Sequence, residues 1–461
     1  MSLMVSISGI RGVIGESLTP EVAVRYAAAF GEYCKRRSGR DTTVIIGRDG
    51  RVTGSMVTDV ITSTLLATGV GVRNLGICPT PTVQLAVEKE GAAGGIAVTA
   101  SHNPMQWNGM KFIASTGMFL DGDENRVFWG IAEKEPSYVS WKDLGKLSHD
   151  ATWIRKHIDA VLGLRYLDPA TVRARRFKVV LDCVNAAGGV IVPQMLRELG
   201  CEVIEMNCEV GGVFAHTPEP IPENLTALAA RVSTEHADLG IAVDPDVDRL
   251  VLITERGEPY GEEYTVASAV KFVLEREKTM NGNDAGLRRV VVNLSTTRAV
   301  EEIASAYRAE VVRTPVGEIN VARRMKQIGA VIGGEGSGGV ILPAVHLGRD
   351  AMVGIGLILQ LLAESGGSLS ALKKGLPQFS ISKGKMEIKG MSPDAVLENI
   401  ASTHRESGKI NTDDGLKIDF RDSWVHLRKS NTEPIIRVIA EARTMKDAAD
   451  LVEQFKRKVT G

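Results

Sequence analysis

The sequence predicts an α/β protein: three related α/β domains with mixed sheets in tandem, then a fourth, smaller α+β domain. Two observations carry this expectation. The 461 residues exceed what one hydrophobic core serves and suit roughly three or four domains of ordinary size. Three stretches also repeat one plan, in which apolar β-type runs alternate with helix-length segments and each last run stops at a polar cluster.

In chain order, the first repeat opens at Thr43-Val44-Ile45-Ile46-Gly47, passes a helical segment over 56–67 and resumes at Val70-Gly71-Val72. The second opens at Lys178-Val179-Val180-Leu181-Asp182 and resumes at Cys201-Glu202-Val203-Ile204. The third opens at Arg289-Val290-Val291-Val292-Asn293 and resumes at Glu310-Val311-Val312. Apolar runs of this kind, followed by small residues and a helix, mark α/β units around buried sheets. Their closing runs are Ile96-Ala97-Val98 before T-A-S-H-N-P, Ile241-Ala242-Val243 before D-P-D-V-D-R, and Ala330-Val331-Ile332 before G-G-E-G-S-G-G. One scaffold thus places three chemistries at equivalent strand ends, where α/β sheets present reactive groups. After about Ser380 the plan changes to Trp424-Val425-His426-Leu427-Arg428, a polar K-S-N-T-E-P and an apolar run over 435–438, as in a small α+β module. Polar joining stretches set expected boundaries at 1–152, 153–254, 255–366 and 367–461.

Composition excludes several classes. Hydrophobic residues make up 44% and charged residues 24%, with a net charge of -1, so neither a basic field for nucleic acid nor an acidic tail is present. The five cysteines are scattered without a C-x-x-C pair, which fits a reduced, cytoplasmic protein better than a disulfide framework or a zinc site. No apolar run is long enough to span a bilayer, and the N-terminus lacks a signal peptide's apolar core, so no membrane partner is expected. Many of the 48 glycines close short apolar runs, as in loops where backbone approaches a ligand.

The first polar cluster, 99–104, holds Ser101 where a strand gives way to a turn. A serine without an activating base is a poor nucleophile toward carbonyls, but it carries a phosphoryl group when a metal and cations hold the charge. The second cluster supplies metal chemistry. Asp244, Asp246 and Asp248 alternate, so on an extended segment their carboxylates share one side, and hard oxygens there suit Mg²⁺. A calcium loop and a metal-free solvated acidic turn are the alternatives. With Glu255 at position twelve the calcium pattern is partly met, but Arg249 stands where its turn needs glycine and 250–253 reads as a strand. Arg249 beside a divalent ion requires an anion between them, and a phosphate meets that need.

The third cluster satisfies G-x-G-x-x-G, yet Val340-Ile341-Leu342-Pro343 follows instead of a helix, so a dinucleotide fingerprint does not apply. It presents Glu335 and Ser337, a pair suited to sugar hydroxyls, unless it is only a structural loop. Arg428, Ser430, Asn431 and Thr432 could wrap a phosphate that is not transferred, or form an ordinary capped turn. Arg11 lies between glycines, where backbone can approach an anion. Lys111 follows Ser101 by ten residues and is either a charge stabiliser and proton shuttle or a solvated lysine. His102 diverges from Ser101 in an extended chain, which argues against a Ser–His relay and leaves it to orient the loop or a phosphate.

Four ordered motifs, T-A-S-H-N-P at 99–104, D-P-D-V-D-R at 244–249, G-E-G-S-G-G at 334–339 and R-K-S-N-T-E-P at 428–434, resemble the α-D-phosphohexomutase family. The resemblance covers nearly the whole chain, from S-G-I-R-G at 8–12. It implies four domains around a central cleft: 1–152 with the phosphoserine, 153–254 with the metal, 255–366 with the sugar site, and 367–461 binding phosphate and closing. It implies that Ser101 is the phosphoserine, that Asp244, Asp246 and Asp248 hold Mg²⁺ together with it, and that Glu335 and Ser337 bind sugar. Arg428, Ser430, Asn431 and Thr432 would bind the spectator phosphate. Lys111 is the candidate general acid or base, a role that calls for a lowered pKa.

The implied reaction moves phosphate between O1 and O6 of a hexose phosphate through a 1,6-bisphosphate. Mg²⁺ is its cofactor, glucose or glucosamine 1,6-bisphosphate its activator, and a monomer or homodimer its assembly. The phosphomannomutase/phosphoglucomutase branch typically has His where this chain has Gly339, and Gly-His where it has Gly317-Glu318. The loop and the downstream His346-Leu347-Gly348-Arg349-Asp350 look more like archaeal-type phosphoglucosamine mutases, although Ser-Asn-Thr at 430–432 replaces a common Ser-Gly-Thr. A glucosamine-type mutase is therefore placed ahead of the mannose/glucose type. The different-class alternatives are a metal-dependent sugar phosphatase and a silent sugar-phosphate-binding protein.

Overall fold

The computed structural model describes residues 2–38, 42–281, 286–388, 392–429 and 435–460. The chain divides into two compact units, Met1–Thr265 with Gly338–Lys373, and Val266–Ser337 with Lys374–Gly461.

The first unit holds two mixed sheets. The larger has seven strands in the order Met4–Ser6, Gly9–Val13, Trp107–Ala114, Gly94–Val98, Thr43–Arg48, Gly71–Ile77, Leu147–His149. The strands Gly94–Val98, Thr43–Arg48 and Gly71–Ile77 are parallel, and Trp107–Ala114 joins them antiparallel, with Lys111 opposite Ala97. β-Branched runs such as Val44-Ile45-Ile46 favour the pleated, buried strand and are fully covered here. The helix Pro20–Ser38 turns Tyr26, Phe30 and Tyr33 inward, and Phe30, Phe112 and Phe128 form an aromatic cluster with centroids 4.5–5.9 Å apart. Phe128 arrives on the helix Gly122–Ala132, whose start is fixed by a capping box: Asp121 accepts from the Glu124 amide while Glu124 accepts from the Asp121 amide.

The smaller sheet runs Leu250–Thr254, Leu239–Val243, Lys178–Asp182, Glu202–Met206, parallel except for the antiparallel Leu250–Thr254. The helix Ala351–Ser365, apolar around its whole circumference and buried, packs on it and on the helices Trp153–Leu162 and Pro169–Arg175. Asp350 caps that helix by accepting from the Met352 amide at 2.8 Å.

In the second unit, Glu310–Thr314, Arg289–Asn293 and Ile332–Glu335 are parallel neighbours. The third closing strand starts at Ile332 and extends through two glycines to Glu335, three residues beyond the apolar run that announced it. Glycine is a poor strand former, but a Cβ at Gly333 would come 2.4 Å from Met325 Sδ and 2.5 Å from the Val291 carbonyl, so packing selects it there. The unit's other sheet is wholly antiparallel, in the order Ser380–Glu387, Ile435–Ala442, Trp424–Lys429, Leu416–Asp419, Lys409–Asn411, with the helices Pro393–Thr403 and Met445–Thr460. Three mixed or parallel α/β sheets and one antiparallel α+β module are therefore present, as the sequence predicts. Among the described residues no helix is long and apolar enough to cross a membrane.

Candidate active site

Ser101 lies just past the C-terminal end of Gly94–Val98, with φ 49°, in the left-handed region that costs a non-glycine residue about 1–2 kcal/mol. Its Oγ donates to Asp244 Oδ2 at 3.0 Å and stands 3.4 Å from His102 Nδ1. The divergence of Ser101 and His102 expected for extended chain is thus corrected, because the left-handed turn swings both side chains together. Burial foremost, with Arg249 and Arg11 adding to it, pushes the His102 pKa down to about 3, so its imidazole is neutral around pH 7.

Asp244, Asp246 and Asp248 follow the strand Leu239–Val243 at the equivalent position, and all three are buried. They converge through a turn rather than by alternation along an extended segment. The Asp248 and Arg249 amides donate to Asp244 Oδ1 at 3.1 and 3.2 Å, and Val247, between Asp246 and Asp248, has φ 61°. Asp246 Oδ2 accepts from Thr80 Oγ1 at 2.7 Å and Lys111 Nζ at 2.6 Å. Asp248 Oδ2 accepts from Lys111 Nζ at 3.1 Å and Arg349 Nη2 at 2.7 Å. The opposite oxygens, Asp246 Oδ1 and Asp248 Oδ1, are buried without a hydrogen bond. A buried carboxylate oxygen without a partner is costly, and a cation satisfies it. Carboxylate oxygens of the three residues lie within 4.8 Å of one another, a hard-oxygen donor set that fits a divalent ion such as Mg²⁺.

Electrostatics divide the triad. Burial, reinforced by Asp248 and Asp246, raises the Asp244 pKa well above its ordinary value. Burial pushes Asp246 and Asp248 the same way, but Lys111 on both, and Arg349 foremost on Asp248, reverse the direction and keep them low. Lys111 sits buried on the strand Trp107–Ala114, not on a solvated turn. Burial lowers its pKa, yet Asp246 and Asp248 outweigh burial and leave it raised. Arg11 likewise belongs to a strand, Gly9–Val13, and donates from Nη1 to Asn103 Oδ1 at 3.1 Å. Arg249 Nε stands 3.7 Å from Asp248 Oδ1 and makes no hydrogen bond.

The first unit therefore brings together Ser101, His102, Lys111, Arg11, Arg249 and the three aspartates. It adds residues that sequence reasoning missed: Thr80 and Arg349 on the carboxylates, and the buried pair Asp49–Arg51 behind the Ser101 loop. The signal for Asp49 and Arg51 was available, since they follow the strand Thr43–Arg48 at its C-terminal end.

In the second unit Glu335 is buried at the end of its strand, and its Oε1 accepts from Asn293 Nδ2 and the Gly317 amide, both at 2.9 Å. Ser337 is half-buried in the following turn. Arg428 is the penultimate residue of the strand Trp424–Lys429, with Nε 2.9 Å from Asp414 Oδ2 in a geometry too bent for a hydrogen bond. The Val316 amide donates to the same Asp414 oxygen at 2.9 Å. Ser430, Asn431 and Thr432 lie outside the described residues.

Four family models match in order: phosphoglucomutase/phosphomannomutase alpha/beta/alpha domain I over residues 4–138, domain II over 155–257, domain III over 261–379 and the C-terminal domain over 386–458. A phosphoglucomutase/phosphomannomutase of Thermococcus kodakarensis is 37% identical over 448 residues, 96% of each chain. A phosphoglucosamine/phosphogalactosamine mutase of Sulfurisphaera tokodaii is 31% identical over 471 residues, covering 100% of both. The crystal structure of a phosphoglucomutase/phosphomannomutase family protein from Burkholderia thailandensis superposes with a TM-score of 0.84 at 26% identity, over 99% of this chain and 98% of that one.

Proposed function

This chain belongs to the phosphoglucomutase/phosphomannomutase family of phosphohexomutases, which are isomerases, and from that premise we propose that it exchanges phosphate between O1 and O6 of a hexose phosphate through phosphorylated Ser101. Phosphorylated Ser101 donates its phosphoryl group to the free hydroxyl of the hexose monophosphate, giving a 1,6-bisphosphate and the serine alcohol. After the bisphosphate reverses its orientation, Ser101 Oγ takes the other phosphoryl group and the isomeric monophosphate leaves. The observation that carries this reading is Ser101 Oγ at 3.0 Å from Asp244, in a carboxylate triad with two buried oxygens that make no hydrogen bond.

Asp244, Asp246, Asp248 and phosphorylated Ser101 would hold Mg²⁺, which supplies Lewis acidity and neutralises charge on the transferring group. Lys111 is the candidate proton carrier and a fixed cation against Asp246 and Asp248. His102, beside Ser101 Oγ, offers a hydrogen bond, and Arg11 and Arg249 supply cations for phosphate oxygens. Glu335 and Ser337 are assigned to sugar hydroxyls, and Arg428, with Ser430, Asn431 and Thr432, to the spectator phosphate.

For the sugar we place glucosamine phosphate first. A Cβ at Gly339 would meet Arg349 Cδ at 2.3 Å, so a histidine side chain has no room at that position as it stands. The Thermococcus relative's name favours mannose or glucose phosphate as the second reading. A Mg²⁺-dependent assay comparing glucosamine 6-phosphate, mannose 1-phosphate and glucose 1-phosphate, with and without glucose 1,6-bisphosphate, separates the two. Intact-mass measurement is expected to show one phosphoryl group on the wild type and none on Ser101→Ala, which should not turn over. Undiminished turnover by Ser101→Ala with release of inorganic phosphate would establish a phosphatase instead.

A further inference from the structure

Arg51 is buried, and its guanidinium donates through every N–H it has. Nε bonds Asp49 Oδ2 at 3.1 Å. Nη1 reaches the carbonyls of Pro104 and Trp107, both at 2.8 Å, and Nη2 those of Ser101 at 2.6 Å and Asn103 at 2.7 Å. Four carbonyls of the seven-residue loop 101–107 are thereby turned onto one cation, away from any phosphoryl group carried on Ser101 Oγ. Asp49 completes the grip from the other strand end: its Oδ2 accepts from Thr99 Oγ1 at 2.6 Å, and that oxygen accepts from the Ser101 amide at 2.9 Å. The amide and the carbonyl of Ser101 are thus both fixed, which holds a non-glycine residue at φ 49°.

The clamp is itself packed from the smaller sheet's loops. The Phe214 ring lies 4.9 Å from the Arg51 guanidinium carbon. A Cβ at Gly212 would come 2.4 Å from the Gly50 carbonyl and 2.5 Å from the Val52 amide, and one at Gly50 would come 2.8 Å from Ala186 Cα. The turn bearing Asp49 and Arg51 therefore has no freedom to shift.

We propose that Arg51, with Asp49 as its counter-ion, is a positioning residue for phosphoryl transfer: it sets the backbone of Ser101 so that Oγ stays in line with Asp244. The proposal rests on the reading of Ser101 as the phosphoryl carrier. Lysine cannot replace arginine here, because an ammonium has three donors where the loop and Asp49 engage five.

The test uses the full chain with Mg²⁺ and glucose 1,6-bisphosphate as phosphoryl donor, comparing wild type, Arg51→Lys, the charge-neutral double variant Asp49→Asn/Arg51→Gln, and Ser101→Ala. Intact mass gives the labelling rate, calorimetry the affinity for the turned-over hexose phosphate, and thermal melting the folded state. The double variant avoids leaving Asp49 buried and unpaired. Displacing a reacting atom by a fraction of an ångström costs on the order of tenfold to a hundredfold, so labelling should slow by that factor while affinity changes by less than about twofold. Millimolar guanidinium should restore part of the rate in an Arg51→Ala protein, an effect a purely structural role does not give. Wild-type labelling in the folded variants overturns the proposal, as does a joint loss of labelling, affinity and folding in both. Wild-type labelling of Ser101→Ala is a different failure, that of the Ser101 reading itself.

Discussion

At Lys111 burial opposes the ammonium charge while two carboxylates at 2.6 and 3.1 Å favour it, and the carboxylates prevail. The side chain is therefore a fixed cation on the triad, and in the proposed reaction it is the cation available to the oxygen that leaves or arrives. Replacing it with glutamine keeps length and a hydrogen-bond donor but removes the charge and the proton. Turnover under saturating Mg²⁺ should fall by roughly 10²–10⁴, the range for a lost general acid or base. Stability should fall too, because Asp246 and Asp248 lose a buried counter-ion. Lys111→Gln with near-wild-type steady-state kinetics would remove Lys111 from the chemistry. Residue type was legible here in a way that environment was not. Lys111 was picked out as a cation following the serine and Arg11 as one placed to meet an anion, but that both ride on strands of one sheet depends on pairings such as Arg11 with Gly109, far apart in sequence.

Among the elements, strand ends were the most legible feature. Buried apolar runs such as 44–46 and 179–181 announce their strands, and the polar cluster after each closing run marks the functional edge. What escaped was conformation inside the loops. The left-handed Ser101 and Val247 turns are set by tertiary hydrogen bonds, not local propensity, so alternation wrongly explained the aspartates and extended geometry wrongly separated Ser101 from His102. The strand-end position of Asp49 and Arg51 was legible, but their clamp was not, because four of the five Arg51 acceptors are carbonyls, which no side-chain pattern reveals.

The antiparallel sheet carries a titration of its own. Lys417, on the strand Leu416–Asp419, is buried 5.0 Å from the Trp424 ring and 3.0 Å from Asp419, with Arg313 and Glu301 also nearby. Burial, with Arg313 next, holds its pKa down to about 8 against an unfolded value of 10.5. Between those pH values the unfolded chain binds a proton that the folded chain does not, so this group makes stability rise with pH, by up to roughly 3 kcal/mol across the window. Below pH 8 both states are charged and the slope vanishes. Denaturant melts from pH 7 to 10.5 should show the rise in wild type and lose it in Lys417→Met. Parallel curves for the two proteins would mean that Lys417 titrates normally.

For the molecule as a whole, two compact units divide the proposed work: the serine, the carboxylate triad and Lys111 in one, the sugar-loop residues and Arg428 in the other. A ligand that binds the native state stabilises whatever must open to release it, by RT ln(1 + [L]/Kd), about 2.7 kcal/mol at a hundredfold excess over Kd. The donor set proposed for Mg²⁺ lies entirely in the first unit. Addition of Mg²⁺ should slow amide exchange in the loops 99–107 and 244–250 by up to about a hundredfold, since the Asp248 and Arg249 amides already bond Asp244 and that turn must open for them to exchange. The antiparallel sheet of Ser380–Glu387, Trp424–Lys429 and Ile435–Ala442 offers no part of this donor set, so its exchange should be unchanged by Mg²⁺ and respond only when hexose phosphate is added. Hydrogen–deuterium exchange with EDTA, with Mg²⁺, and with Mg²⁺ plus glucosamine 6-phosphate resolves the steps. Protection that spreads evenly over both units with Mg²⁺ alone, or that misses 244–250, would show that the aspartates do not hold the ion.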